Sequence, residues 1–197
     1  GRVRDDGYHD VYSIYQELGI RDTVKVDTSD QNRISITGTL SDQQLSSIPL
    51  DESNICFLAA REFFQYNEIS STPLEIQIDK HIPVAAGLAG GSADAAATLI
   101  ALQELFQTES DLFAIGSKIG ADVPFALLGG TAIGSGNGVE LEPILDINNI
   151  DSEIIHEGDK LFVPNARMGF VTYHKAMGDL FVYPLYGPLS SGFGVRK

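Results

Sequence analysis

The chain is predicted to form an α+β domain, with a mixed or antiparallel sheet and helices on one face. Leu74, Ile76 and Ile78 alternate with polar residues, as do Ile34 and Ile36 with Ser35 and Thr37; a period of two marks a strand with one buried face. Ala95, Leu99, Leu102 and Phe106 recur instead at helical spacing, as do Ile55, Leu58, Ala59 and Phe63. A glycine-rich segment from Gly87 to Gly91 joins one strand of the first kind to one helix of the second.

In chain order, Asp5-Asp6-Gly7 signals a turn. Tyr8 to Tyr15, rich in Tyr, Val and Ile, reads as a strand, and Arg21 to Asp27 and Arg33 to Thr39 read as two more. These three are expected to pair as an antiparallel sheet. Ser41 to Leu50 is polar and contains Pro49, so it reads as a loop. Asp51 to Ser53 offers helix-starting residues for a helix ending near Asn67. The strand over 74–80 follows, with Lys80 expected at its solvated end, or else as a cation that reaches a phosphate. Ser92 is a good N-cap for the next helix, in which five alanines between Ala93 and Ala101 permit close packing. Ser110-Asp111 starts another helix and Gly120 stops it. Five glycines between Gly129 and Val139 suggest a hairpin, or else a second phosphate contact. From Asn148 to Gly158 the chain is polar and loop-like.

The bulk composition excludes several functions. The 197 residues are 43% hydrophobic, enough for a sizeable core, and hold no apolar run near the roughly 18 residues of a membrane span. A formal net charge of −14 argues against nucleic-acid partners and anionic membrane surfaces. The lone cysteine, Cys56, lies among Ile55, Phe57 and Leu58 and reads as buried and inert. No signal peptide is visible, and a reducing, cytoplasmic setting is expected. His81, His156 and His174 share no metal-ligand spacing with each other or with Cys56, and no metal ligand is assigned.

The stretch His81 to Leu99, HIPVAAGLAGGSADAAATL, is the centre of the functional argument. Glycines allow positive φ and close approach of the backbone to an anion. The first N–H groups of a helix lack internal partners and carry the positive end of its dipole. Strand, glycine loop and helix start therefore suit a phosphate group, although the same pattern also serves as a tight turn into a core helix. No Gly-Lys-Ser/Thr follows, as a Walker loop would need, and the glycine spacing is not that of a dinucleotide fold.

The order Pro-x3-Gly-Leu-x-Gly-Gly-Ser-x-x-Ala-Ala resembles the ATP-binding motif of the GHMP small-molecule kinases. Asp6-Gly7-Tyr8-His9, Asp51-Glu52-Ser53-Asn54, and Gly120-Ala121-Asp122-Val123-Pro124-Phe125 continuing into Gly129-Gly130-Thr131-Ala132 lie in that family's order. They resemble its branch acting on a cytidine-diphosphate sugar alcohol; homoserine- or mevalonate-type kinases and a non-catalytic nucleotide-binding piece are the alternatives. The resemblance covers about Arg2 to Pro143. It implies an ATP-binding N-terminal domain over 1–145, with a ribosomal-S5-like part, and a linker and start of a second domain over 146–197. Met168 to Thr172 and Gly187 to Gly194 faintly resemble later family segments.

The resemblance implies ATP and Mg²⁺ as cofactors and a small-molecule substrate. Pro83, Gly87, Leu88, Ala89, Gly90, Gly91, Ser92 and Ala93 would cradle the triphosphate, Ala89 and Ala93 replacing the more usual glycine and serine. Asn54 would lie near the adenine, or simply cap a helix. Tyr8 would stack on cytosine and His9 bond its edge; alternatively they are a strand-start ring and a solvated imidazole. Asp122 would be the base that accepts the acceptor hydroxyl's proton, or a turn residue. The family's lysine partner to this aspartate sits on a strand that would precede Gly1, and no lysine present is assigned to it. Asp94 stands near the helix start, with a role at the dipole or near Mg²⁺ left open.

Overall fold

In a computed structural model, residues 13–136 and 138–147 are described. The elements are β1 (Ser13–Gln16), β2 (Thr23–Thr28), β3 (Arg33–Gly38), α1 (Asp42–Ser46), α2 (Ile55–Tyr66), β4 (Leu74–Lys80), α3 (Gly90–Phe106), α4 (Leu112–Ile119), α5 (Val123–Leu128), β5 (Thr131–Ser135), β6 (Glu140–Pro143) and α6 (Ile144–Ile147). Tyr8, His9 and the segments after Ile147 lie outside the described residues.

The strands form two sheets rather than the one expected from the first three. One runs β1-β5-β6; the other runs β2-β4-β3, with β4 antiparallel to β2 and parallel to β3. The expected pairing of β2 with β3 fails because β4 lies between them: Ile76 faces Val26 on one side and Ile34 on the other. Leu74, Ile76 and Ile78 are at most 2% exposed, so this strand takes the centre. Asn32, in the β2–β3 turn, accepts the Leu74 N–H at 3.0 Å and admits the new strand there. Alternation encodes which face of a strand is buried but not which strand lies beside it.

The hydrophobic face of this sheet meets α2 and α3. Cys56, Ala59, Ala60, Phe63 and Phe64 of α2 and Ala95, Ala96, Leu99 and Leu102 of α3 close the core, with Ile115 and Val123 at its side. Leu58 is only partly buried; the buried face of α2 is turned towards Cys56, Phe57 and Phe64. Phe64 and Phe106 meet edge to face with centroids 5.3 Å apart. The other side of the sheet, including Lys25, Ser35 and Gln77, is polar. The glycine-rich stretch after Leu128 forms the β5–β6 hairpin.

Capping sets several boundaries. Ser41 starts α1, a short helix inside the expected loop, by accepting the Gln44 N–H. Asp111 does the same for α4 through Ala114 N–H. Gly120 ends α4 in extended backbone, with φ −178°, so it uses no left-handed conformation.

Candidate nucleotide site

Lys80 occupies the same face of β4 as Leu74, Ile76 and Ile78, because a period of two carries its side chain inward. The expected solvated strand end is therefore wrong: Lys80 is 4% exposed. Its Nζ donates to Asp22 Oδ2 at 2.5 Å and to Asp94 Oδ2 at 2.6 Å. Asp22, just before β2, accepts the His81 and Ile82 N–H groups on its other oxygen. One network thus joins the end of β4, the stem of the glycine loop and the first turns of α3.

The two carboxylates are unequal. Burial pushes Asp22 upward, but the Lys80 hydrogen bond and the two backbone N–H groups outweigh it, and its pKa is lowered. Burial also leads for Asp94, and here the attraction of Lys80 fails to offset it, with Asp22 adding repulsion; its pKa is raised to about 7. Asp94 Oδ1 has no hydrogen-bond partner.

Beyond Ile82 the backbone enters positive φ three times, at Ala85 (56°), Gly87 (72°) and Ala89 (53°). Ala89 ends this run in the left-handed region at the N-cap of α3, where it offers no side-chain cap. The helix begins at Gly90, so Ser92 lies inside its first turn and is not the N-cap expected from its type. Glycine at 90 is dictated by contact. A Cβ there would lie 2.9 Å from Ile82 Cγ2 and 3.1 Å from Lys80 Nζ. The N–H groups of Gly90, Gly91 and Ser92 have no carbonyl one turn earlier to bond.

Loop and helix start enclose a cleft of about 270 Å³. Pro83, Gly87, Leu88, Ala89, Gly90 and Gly91 line it, together with Lys80 and Asp94. Ser92 and Ala93 follow in the helix and are not part of the lining. Asn54 is 4% exposed and caps α2; its Oδ1 accepts Cys56 N–H at 3.0 Å and its Nδ2 donates to Pro49 O at 2.8 Å. Both ends of the carboxamide are thus engaged within the chain. Asp122 is exposed, at the N-cap position of α5, and does not line the cleft. It stands near Tyr15: burial, and then the Asp122 charge, raise the pKa of that phenol. The Tyr15 ring packs on Phe125, with centroids 5.1 Å apart.

Sequence reasoning found the loop but missed Asp22 and the burial of Lys80. The parity of Lys80 with Ile78 was the available signal for the latter. Asp22 carries none, since it meets Lys80 across 58 residues. Among the described residues no group of three His, Cys, Asp or Glu side chains is placed to hold a metal, and no helix is long and apolar enough to cross a membrane.

Comparison with known proteins bears on the fold and the family. The family model described as "GHMP kinases N terminal domain" matches residues 54–130. A 4-diphosphocytidyl-2-C-methyl-D-erythritol kinase of Rhodococcus jostii is 43% identical over 148 residues, covering 74% of this chain and 46% of that protein. The same-named kinase of Corynebacterium diphtheriae is 39% identical over 160 residues, covering 74% and 51%. A crystal structure of 4-(cytidine 5'-diphospho)-2C-methyl-D-erythritol kinase superposes with a TM-score of 0.55 at 34% identity, over 72% of this chain and 48% of that one. A homoserine kinase from Cytophaga hutchinsonii shares the fold alone, with a TM-score of 0.51 at 22% identity over 62% and 42%. The chain spans about half the length of the curated relatives it matches. With its sheet, helices and glycine loop in that family's order, the described part of this chain is a GHMP kinase N-terminal domain.

Proposed function

We propose that this chain belongs to an enzyme that transfers a phosphoryl group from ATP to the 2-hydroxyl of 4-diphosphocytidyl-2-C-methyl-D-erythritol, a step of non-mevalonate isoprenoid precursor synthesis in the cytoplasm. The observation that supports this reading is the cleft lined by the loop from Pro83 to Ala89 and by Gly90 and Gly91 at the start of α3, a helix whose first N–H groups lack partners within it. Its likeness to kinases of that name supplies the substrate.

The donor set fits a phosphate. The N–H groups of Gly90, Gly91 and Ser92 donate hydrogen bonds and stand at the positive end of the helix. ATP, when bound, supplies the phosphoryl group, and Mg²⁺ neutralises its charge through the phosphate oxygens that this hard cation prefers. The loop residues, with Ala93 behind them, hold the triphosphate. Asn54 fixes the start of α2 with one bond at each end of its carboxamide, and its second N–H and second oxygen lone pair are what it offers the adenine. Asp122 accepts the proton of the acceptor hydroxyl and orients that oxygen, a role for which its exposure leaves its carboxylate free to reach substrate. Tyr8 stacks on cytosine and His9 bonds its edge.

The test is turnover of ATP by the full-length protein, with and without 4-diphosphocytidyl-2-C-methyl-D-erythritol, followed by phosphorus NMR of the product. A new phosphate monoester that appears only with this substrate is expected. ATP consumption no faster with the substrate than without it rejects the reading.

A further inference from the structure

The cleft contains a difficulty for any anionic ligand. Lys80 is the one cation among its lining residues, and that cation is already shared by two buried carboxylates, so the network of Asp22, Lys80 and Asp94 carries a net charge of −1 when both acids are ionised. A phosphate brought to the loop would face that negative charge where little solvent screens it. The chain itself is acidic, at −14, and offers no long-range attraction.

The hydrogen bonds show where the difficulty is relieved. Both oxygens of Asp22 are engaged, one by Lys80 and the other by the His81 and Ile82 N–H groups, and all three donors favour its ionised form. Asp94 uses only Oδ2, towards Lys80; its Oδ1 is buried and without a partner, in a residue 4% exposed that lines the cleft. A buried carboxylate oxygen without a donor is costly. Adding a proton removes the buried charge and cancels the network's excess in one step. We propose that Asp94 takes up a proton when a phosphate group enters the cleft, which cancels the excess negative charge of the buried network it forms with Asp22 and Lys80.

The proton comes from solvent and returns there when the ligand leaves, and no other bond changes. The groups acting on Asp94 are Lys80 of β4 and Asp22 ahead of β2, the latter by repulsion and by a side-chain hydrogen bond that favours the protonated acid; the Cys56 thiol of α2 lies near enough for the Asp94 charge to raise its pKa. Asp22 is held ionised and the thiol neutral, so the shared proton settles on Asp94. Its pKa of about 7 in the ligand-free protein puts the exchange within the physiological range, and a bound anion raises it further. Affinity for phosphate is then complete below the ligand-free pKa and is lost as pH rises, by up to about tenfold per pH unit, until the ligand-bound pKa is passed.

This inference rests on the nucleotide reading above, and the experiment separates the two. MgATP and inorganic triphosphate are titrated calorimetrically into the 197-residue chain and into Asp94→Asn, from about pH 6 to about pH 8.5, in buffers of different ionisation enthalpy. The ligand's own titration is common to both proteins, and subtracting it leaves the protons taken up by Asp94. Near pH 8 the wild-type protein is expected to take up close to one proton more than the variant, and the variant's affinity should be nearly pH-independent beyond the ligand's own titration. Equal proton counts overturn the proposal, and so does proton release by the wild type. ATP binding without the extra proton sinks the inference and spares the nucleotide reading. Extra uptake with inorganic triphosphate but no binding advantage for ATP does the reverse. Should Asp94→Asn not fold, the carbon-13 carboxyl signal of Asp94 in the wild-type protein decides: a midpoint unchanged or lowered by ligand overturns the proposal, and a raised one upholds it.

Discussion

Lys80 Nζ lies 2.6 Å from Asp94 Oδ2, and both side chains are at least 95% buried. The same ammonium serves Asp22, so its removal leaves two acids sharing a buried site without a cation. Lys80→Met is expected to destabilise the domain by about 3–5 kcal/mol. Adding Asp94→Asn to that variant should recover part of the loss, a non-additivity that urea denaturation of the single and double variants measures.

The raised pKa of Asp94 gives its contribution to stability a definite sign. Its ordinary value is 3.8 and its folded value about 7, so between these the folded chain holds the proton more tightly than the unfolded chain. Asp94 therefore contributes stability that is complete below about pH 4 and is lost as pH rises through about 7. Relative to Asp94→Asn, the wild-type protein should lose up to about 4 kcal/mol between those limits. Denaturation midpoints of both proteins at several pH values check the slope. Asp22, whose pKa is lowered, works in the opposite sense: its contribution is present above its ordinary value and is lost as pH falls.

Ala89 pays a steric cost at φ 53°, ψ 28°, a conformation glycine adopts freely. The left-handed region costs a non-glycine residue roughly 1–2 kcal/mol, and glycine's greater freedom in the unfolded chain returns about 0.4–1 kcal/mol of that. Ala89→Gly should therefore stabilise the domain by about 0.5–1 kcal/mol. A thermal melt that shows a loss instead would mean that the alanine methyl makes a compensating contact.

Cys56 is fully buried in α2, and burial, reinforced by the Asp94 charge and only partly offset by Thr98 and Lys80, pushes its thiol up to about 12. Alkylation requires a thiolate within reach of the reagent. Iodoacetamide at mildly alkaline pH should leave the native chain unlabelled and label it once in urea, as mass spectrometry would report.

Asp122 is exposed and has no cap bond of its own, so its substitution should leave the fold intact. If the proposed transfer holds, Asp122→Asn in the full-length protein is expected to lower kcat by about 10²–10⁴-fold with little change in nucleotide affinity. Unchanged turnover would remove it from the chemistry.

The features legible in the sequence were those written in neighbouring residues. The alternation of Leu74, Ile76 and Ile78 specified a strand and its buried face. The spacing of Ala95, Leu99 and Leu102 specified a helix. The glycines from Gly87 to Gly91 marked where backbone could approach an anion. The same alternation already placed Lys80 on the inner face, against the usual exposure of lysine at a strand end.

Only the tertiary structure decided which strand lies beside which, and where the charges meet. β4 separates β2 from β3 although those two are neighbours in the chain. Asp22 reaches Lys80 across 58 residues, and Lys80 reaches Asp94 across 14. Periodicity reports the environment of a residue's own element, whereas strand order and ion pairing depend on contacts between distant segments. A lysine read in its local context is therefore a solvated cation, and becomes the buried centre of a charge network only when the strand and the helix close on it.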